Sequence, residues 1–173
     1  MSFNIASKLA RGTAIAAMLA TTVFLASCQV RPLYSEGSGV SEKLASVSFA
    51  EATTRIELEV RNRLIFLASR GAGEPDKADY KVEFNASSSV IDTLLVASSD
   101  TSRAGRATVS VDYTLKSTKD GHVIKAGNQS ATALVDFPNQ EFAKLRAIRD
   151  AEDRAARQAA EFVAADIAAA LGR

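Results

Sequence analysis

Apolar and polar positions change rhythm repeatedly along this chain, and each change marks a predicted element. Ala45, Val47 and Phe49 alternate with Ser46 and Ser48, which predicts a short half-buried strand. In "TTRIELEVRNRLIFLASRG" (53–71) the period lengthens. Ile56, Val60, Leu64 and Leu67 fall at spacings of four, four and three, the apolar stripe of one helix. Thr54 and Glu57 have the spacing of a capping box at its start, and Gly71 suits the left-handed position past its end. "GAGEPDKAD" (71–79) is rich in turn formers and predicts a loop.

At Tyr80 the period drops to two. Tyr80, Val82 and Phe84 face one way while Lys81, Glu83 and Asn85 face the other. The alternation fades through "ASSSVIDTLLVASSDTSRAG" (86–105), which leaves open one long bent strand or two. It resumes with Ala107, Val109, Val111, Tyr113 and Leu115 against Thr108, Ser110, Asp112, Thr114 and Lys116. Asp120-Gly121 predicts a tight type I′ hairpin turn, after which Ala131, Ala133, Val135 and Phe137 mark the returning strand. A long closing helix is predicted from Asn139, as its cap, to Leu171, with Gly172 ending it. Its apolar face would run through Phe142, Leu145, Ile148, Ala155, Ala159, Phe162, Val163 and Ile167.

The order β-α-β-β-β-α predicts an α+β fold: a two-layer sandwich, two helices packed on a four-stranded, mainly antiparallel sheet, as one domain over 45–173. The helices would cover one sheet face. The other, carrying Thr, Ser, Lys and Asn, would stay open to a partner.

Ahead of that domain the pattern is different in kind. Lys8 and Arg11 precede the apolar run "AIAAMLATTVFLA" (14–26), and no acidic residue occurs before Glu36. A basic start, an apolar middle and small residues before Cys28 predict a secretory signal peptide over 1–27. A spanning helix wants about 20 apolar residues, more than this run supplies. A buried first helix of the fold would need caps and an amphipathic face, and neither is visible. Cys28 is the only cysteine, so the chain holds no internal disulfide. Residues 28–44, with Gly37, Gly39, Ser35, Ser38 and Ser41, read as a flexible tether, in which "RPLY" (31–34) is the more hydrophobic part.

Composition removes function classes more than it adds them. A formal net charge of +1 exerts no general pull toward nucleic acid. His122 is the sole histidine and follows the predicted Asp120-Gly121 turn, where an exposed hairpin residue is expected in place of a general base. With Cys28 committed elsewhere, no second Cys or His remains for a zinc site. The carboxylates of "DAED" (150–153) spread around a helix among arginines and read as a solvated face. No nucleophile elbow, P-loop or dinucleotide fingerprint occurs, so no enzyme is expected. Asn85 and Asn128 begin glycosylation sequons, which carry no weight if the chain is bacterial, as the residues before Cys28 imply below.

The bacterial setting follows from a resemblance. Leu25-Ala26-Ser27-Cys28 resembles the lipobox of bacterial lipoproteins. That resemblance implies a mature N-terminus at Cys28 carrying an S-linked diacylglycerol and an N-linked acyl chain. Each buried CH₂ adds about 0.8 kcal/mol to such an anchor, so more than one chain holds stably. Gln29, where an inner-membrane retention signal would have Asp, implies sorting to the outer membrane.

The whole expected mature chain resembles the lipopolysaccharide-assembly lipoprotein family, LptE. The features that carry this are Cys28 followed by "RPLY" (31–34), "IELEVRNRL" (56–64), Arg106 with Tyr113 and Leu115, and "RDAEDRAARQAAEFVAADI" (149–167). The resemblance implies an outer-membrane lipoprotein that plugs a large β-barrel of the LptD kind, assists its assembly and contacts lipopolysaccharide. The family's basic contact residue carries over onto Arg103, with Arg106 second; a further basic contact has no clear counterpart, Lys119 and Lys125 being the candidates. Two other functions remain: a lipid-binding accessory lipoprotein of an envelope transporter, and a pilotin-like chaperone of another secretion barrel.

Overall fold

The computed structural model describes residues 39–96 and 101–172; the predicted signal peptide, Cys28 and "RPLY" lie outside them. The first helix, α1 (Val40–Ala45), falls inside the stretch read as tether. Gly39 enters it with φ +64, Val40 and Leu44 are buried, and Lys43 Nζ donates to the Leu171 carbonyl at 2.7 Å. One apolar pair is enough to hold a helix this short against the rest of the domain.

Strand β1 (Val47–Phe49) is followed by α2 (Arg55–Ser69). The capping box is formed: Thr54 Oγ1 accepts from the Glu57 N–H, and Glu57 Oε2 accepts from the Thr54 N–H, both at 3.1 Å. At the other end Arg70, with φ +54, takes the left-handed conformation and Gly71 continues it with φ +90. Three strands follow: β2 (Tyr80–Val96), β3 (Thr101–Ser117) and β4 (Val123–Asp136). The sheet order is β1-β2-β3-β4, with β1 parallel to β2 and the other pairs antiparallel.

Residues 86–96 and 101–105 therefore belong to two strands, the far halves of the antiparallel β2–β3 pair. Register shifts between Asp92 and Leu95 bend it. The β3–β4 connection is longer than a type I′ turn. It spans 118–122 and closes with the Gly121 N–H donating to the Ser117 carbonyl at 3.0 Å, Gly121 having φ +71.

The last helix, α3 (Glu141–Leu171), starts after Gln140, not Asn139, and has no side-chain cap. Both long helices cover one sheet face. Val60 and Leu64 of α2, Val82 of β2, Val109, Val111 and Leu115 of β3, and Ala155, Ala159, Val163 and Ile167 of α3 are fully buried together. The alanines let α3 approach closely. Its expected apolar face begins later than its spacing implied: Phe142 and Leu145 are 84% and 46% exposed, and burial starts at Ala151.

The two helices run parallel in fixed register. Arg55 with Asp153, Glu59 with Arg157 and Arg63 with Glu161 each join residues 98 apart in sequence. Arg55 also reaches Glu152. The carboxylates of "DAED" are thus engaged by arginines: Glu152 and Asp153 by Arg55, and Asp150 by Arg154.

Candidate functional site

The uncovered sheet face is ordered by strand register into rows. From the end near the 118–122 turn outward, Glu83, Thr114 and Ala126 form one row, and Asn85, Asp112 and Asn128 the next. Ser87, Ser110 and Ser130 come next, then Ser89, Thr108 and Thr132, and then Ile91, Arg106 and Leu134. Lys116 pairs with Glu83, whose carboxyl is held below its usual range by that ammonium; Asn128 Nδ2 donates to Asp112 Oδ1 at 2.7 Å. Between this charged end and Arg106 the face carries hydroxyls alone.

Arg106 lies on β3, directly between exposed Ile91 (52%) and Leu134 (73%). Neither Arg103 nor Arg106 forms an ion pair with a described carboxylate; among the described arginines Arg70, Arg146 and Arg149 share this, while Arg55, Arg61, Arg63, Arg154 and Arg157 are paired. What distinguishes Arg106 among these is its place on the uncovered sheet face between exposed aliphatic side chains.

Gly105, between them, is fixed by packing. Its missing side chain leaves room for the Phe137 ring, since a Cβ there would stand 2.3 Å from the ring edge. The Phe137 N–H donates to the Arg103 carbonyl at 2.8 Å, and Lys144 Nζ lies 4.6 Å from the centre of the same ring. The geometry thus adds a cation that sequence reasoning missed: Lys144, on the first turns of α3. Its signal lay only in the fold, because Phe137 is what relates it to Arg103. Lys119 and Lys125 sit at the other end. Lys119 is in the 118–122 turn and Lys125 is opposite Leu115, about 30 Å along β4 from Leu134. The structure does not bring them together with Arg103 and Arg106. His122 is exposed in that same turn. Cys28 lies outside the described residues.

Behind the face, buried and half-buried polar groups hold the layers in register. Asp166 Oδ2 accepts from Tyr113 Oη and from Gln129 Nε2, each at 2.7 Å. The Tyr113 and Gln129 bonds hold its carboxyl below the usual range, aided by Lys125 and opposed by burial. Burial, with the hydrogen bond to Asp166, pushes the Tyr113 hydroxyl well up. Glu57, 5% exposed, accepts from the Thr53 hydroxyl at 2.7 Å and the Thr53 N–H at 2.8 Å. Its other oxygen takes Asn85 Nδ2 at 3.3 Å, which ties the start of α2 to β2. The Thr53 hydroxyl above all holds this carboxyl down.

The family model described as "LptE: Lipopolysaccharide-assembly" matches residues 42–167. The chain belongs to the LptE family. Membership gives it a role in lipopolysaccharide assembly. A crystal structure of a candidate lipoprotein from Caulobacter crescentus CB15 is similar with TM-score 0.61 and 26% identity, covering 78% of this chain and 96% of that one. Rare lipoprotein B from Shewanella oneidensis is similar with TM-score 0.53 and 15% identity, covering 71% and 92%, a likeness of fold alone. The chain has no significant match among curated proteins. In this LptE chain the stretches that carried the resemblance, 56–64 and 149–167, are the two sides of the inter-helix ladder. Arg106 faces outward, while Tyr113 and Leu115 face the helices.

Proposed function

We propose that this LptE protein is a lipid-anchored outer-membrane plug. Acylated on Cys28, it would sit at the periplasmic side within the lumen of a large LptD-like β-barrel. There it would assist barrel assembly and contact lipopolysaccharide on its way to the outer leaflet. It acts by filling and guiding, without covalent chemistry of its own.

The observation that carries the lipopolysaccharide contact is Arg106, exposed and without a described carboxylate, between exposed Ile91 and Leu134. A cation beside aliphatic surface matches a phosphate beside an acyl chain, and guanidinium suits bidentate phosphate contact. Arg103 and Lys144 extend the positive charge at the same end. A face of hydroxyls and amides suits a barrel lumen, whose interior is polar. The accessory lipid-carrier reading draws less support. Among the described residues, the pocket among Leu44, Phe49, Leu64, Leu67, Ala164 and Ile167 is about 10 Å³, and the one between β4 and α3 at Ile124, Lys125 and Asp166 is about 130 Å³ and carries two charged side chains, a poor fit for an acyl chain.

Purification of the tagged full chain in mild detergent tests the reading. Recovery of a much larger β-barrel, with an acylated Cys28 in mass spectra, is expected. A chain recovered alone, with Met1 intact and the sulfur unmodified, would overturn it. Depletion separates the pilotin alternative: loss of surface lipopolysaccharide is expected, not loss of a secretin.

A further inference from the structure

The outward face of β2, β3 and β4 carries a block of hydroxyls with no counterpart elsewhere in the described chain. Ser87 stands opposite Ser110, and Ser110 opposite Ser130; Ser89 stands opposite Thr108, and Thr108 opposite Thr132. Thr108 and Thr132 hydroxyls touch at 3.1 Å. Neighbours lie about 4.8 Å apart across strands and about 7 Å apart along them, so the hydroxyls form a flat grid. Every member can both donate and accept. No charge, aromatic ring or large aliphatic side chain interrupts the block. It adjoins Asn85, Asp112 and Asn128 on one side, and Ile91, Arg106 and Leu134 on the other.

We propose that this grid is a track for the sugar chain of the lipopolysaccharide whose lipid end meets Arg106, an inference that rests on the proposed contact there. The chemistry of the two neighbouring zones decides the occupant. An apolar protein surface would find nothing to bury against hydroxyls, and an acyl chain would strand them without partners. A polyhydroxylated chain offers matching donors and acceptors at short intervals. Its attachment to a phosphorylated, acylated end fits the change from hydroxyls to a guanidinium between aliphatics within a single row. Without a stacking ring, the grid holds sugar weakly. Weak holding suits a chain that must leave again, because each hydroxyl bond competes with water for a small net gain.

The test uses the full chain in detergent, isotopically labelled. It is titrated first with core oligosaccharide freed of lipid A by mild acid, and separately with lipid A. Oligosaccharide should shift the backbone amide signals of Ser87, Thr108, Ser110, Ser130 and Thr132 and leave α2 unmoved. Thr108→Val with Ser110→Ala and Thr132→Val should weaken that binding about tenfold or more, three modest hydrogen bonds being lost, while lipid A binding stays within twofold. Absent shifts, or shifts centred on Glu83 and Asp112, with lipid A still bound, would overturn the track and spare the Arg106 contact. Loss of both ligands would overturn both. If the purified barrel protects these same residues and abolishes the oligosaccharide shifts, the face belongs to a protein wall and the track is overturned.

Discussion

The Phe137 ring, one residue past the end of β4, lies on Gly105 of β3 and fills the space a side chain there would need. Phe137 is 6% exposed there and packs with Ala107, Val135 and Ala151. Glycine is required at 105 for space; its backbone is ordinary extended strand.

Gly105→Ala should therefore destabilise the domain by roughly 1–3 kcal/mol, as overpacking does. Phe137→Leu in the same chain should recover part of that loss. Urea unfolding of the single and double variants measures the coupling, and strictly additive effects would count against the contact.

Charge reversal separates the two arginines. Arg106→Glu should weaken binding of purified lipopolysaccharide roughly tenfold, the scale of a lost charge-assisted bond. Arg103→Glu should also weaken it. Each should leave unfolding free energy within about 0.5 kcal/mol, as exposed sites usually do. Unchanged affinity would remove that residue from the site.

Acid should loosen the fold through Glu57 and Asp166. Both carboxyls titrate below their ordinary values of 4.5 and 3.8 in the folded chain, so the unfolded chain binds more protons there. Their contribution is present above those ordinary values and is lost as pH falls through the lowered ones. Melting temperature should drop from about pH 5 to about pH 3. Glu57→Gln with Asp166→Asn should melt lower at neutral pH and show a shallower acid slope; a slope equal to that of the parent would dismiss these groups.

The inter-helix ladder invites a swap. Arg157→Ala should cost about 0.2–1 kcal/mol, the range of exposed ion pairs. Glu59→Arg together with Arg157→Glu should restore most of it. Repeating the unfolding near 1 M salt, where screening acts over about 3 Å, should shrink both effects.

Much of this architecture was legible because burial on one side imposes a period. Val60 and Leu64, or Val109 and Val111, alternate or step as they do because something covers them. Where cover ends, the signal ends. Ser88 and Val90 on β2 are exposed although they lie on the helix side of the sheet, so residues 86–105 lost their alternation. Phe142 and Leu145 kept the spacing of a buried stripe although α3 has no partner over them. Helix α1 was missed because Gly39 and its serine neighbours outweigh a single apolar pair. Arg103 and Arg106 are candidates by resemblance to the family. Lys144 is not, since only the ring of Phe137 joins it to them across the fold.

The constant separation between α2 and α3 has a consequence for how the chain comes to be folded. The apolar stripe of α2 is made well before its lateral neighbour, whose matching residues come 98 positions later. Val60 and Leu64 can be partly covered by β1, β2 and α1 beforehand, but gain the cover of α3 only once that later segment exists, and contacts of such long range form slowly. The α2–α3 ladder can therefore close only after both segments are available.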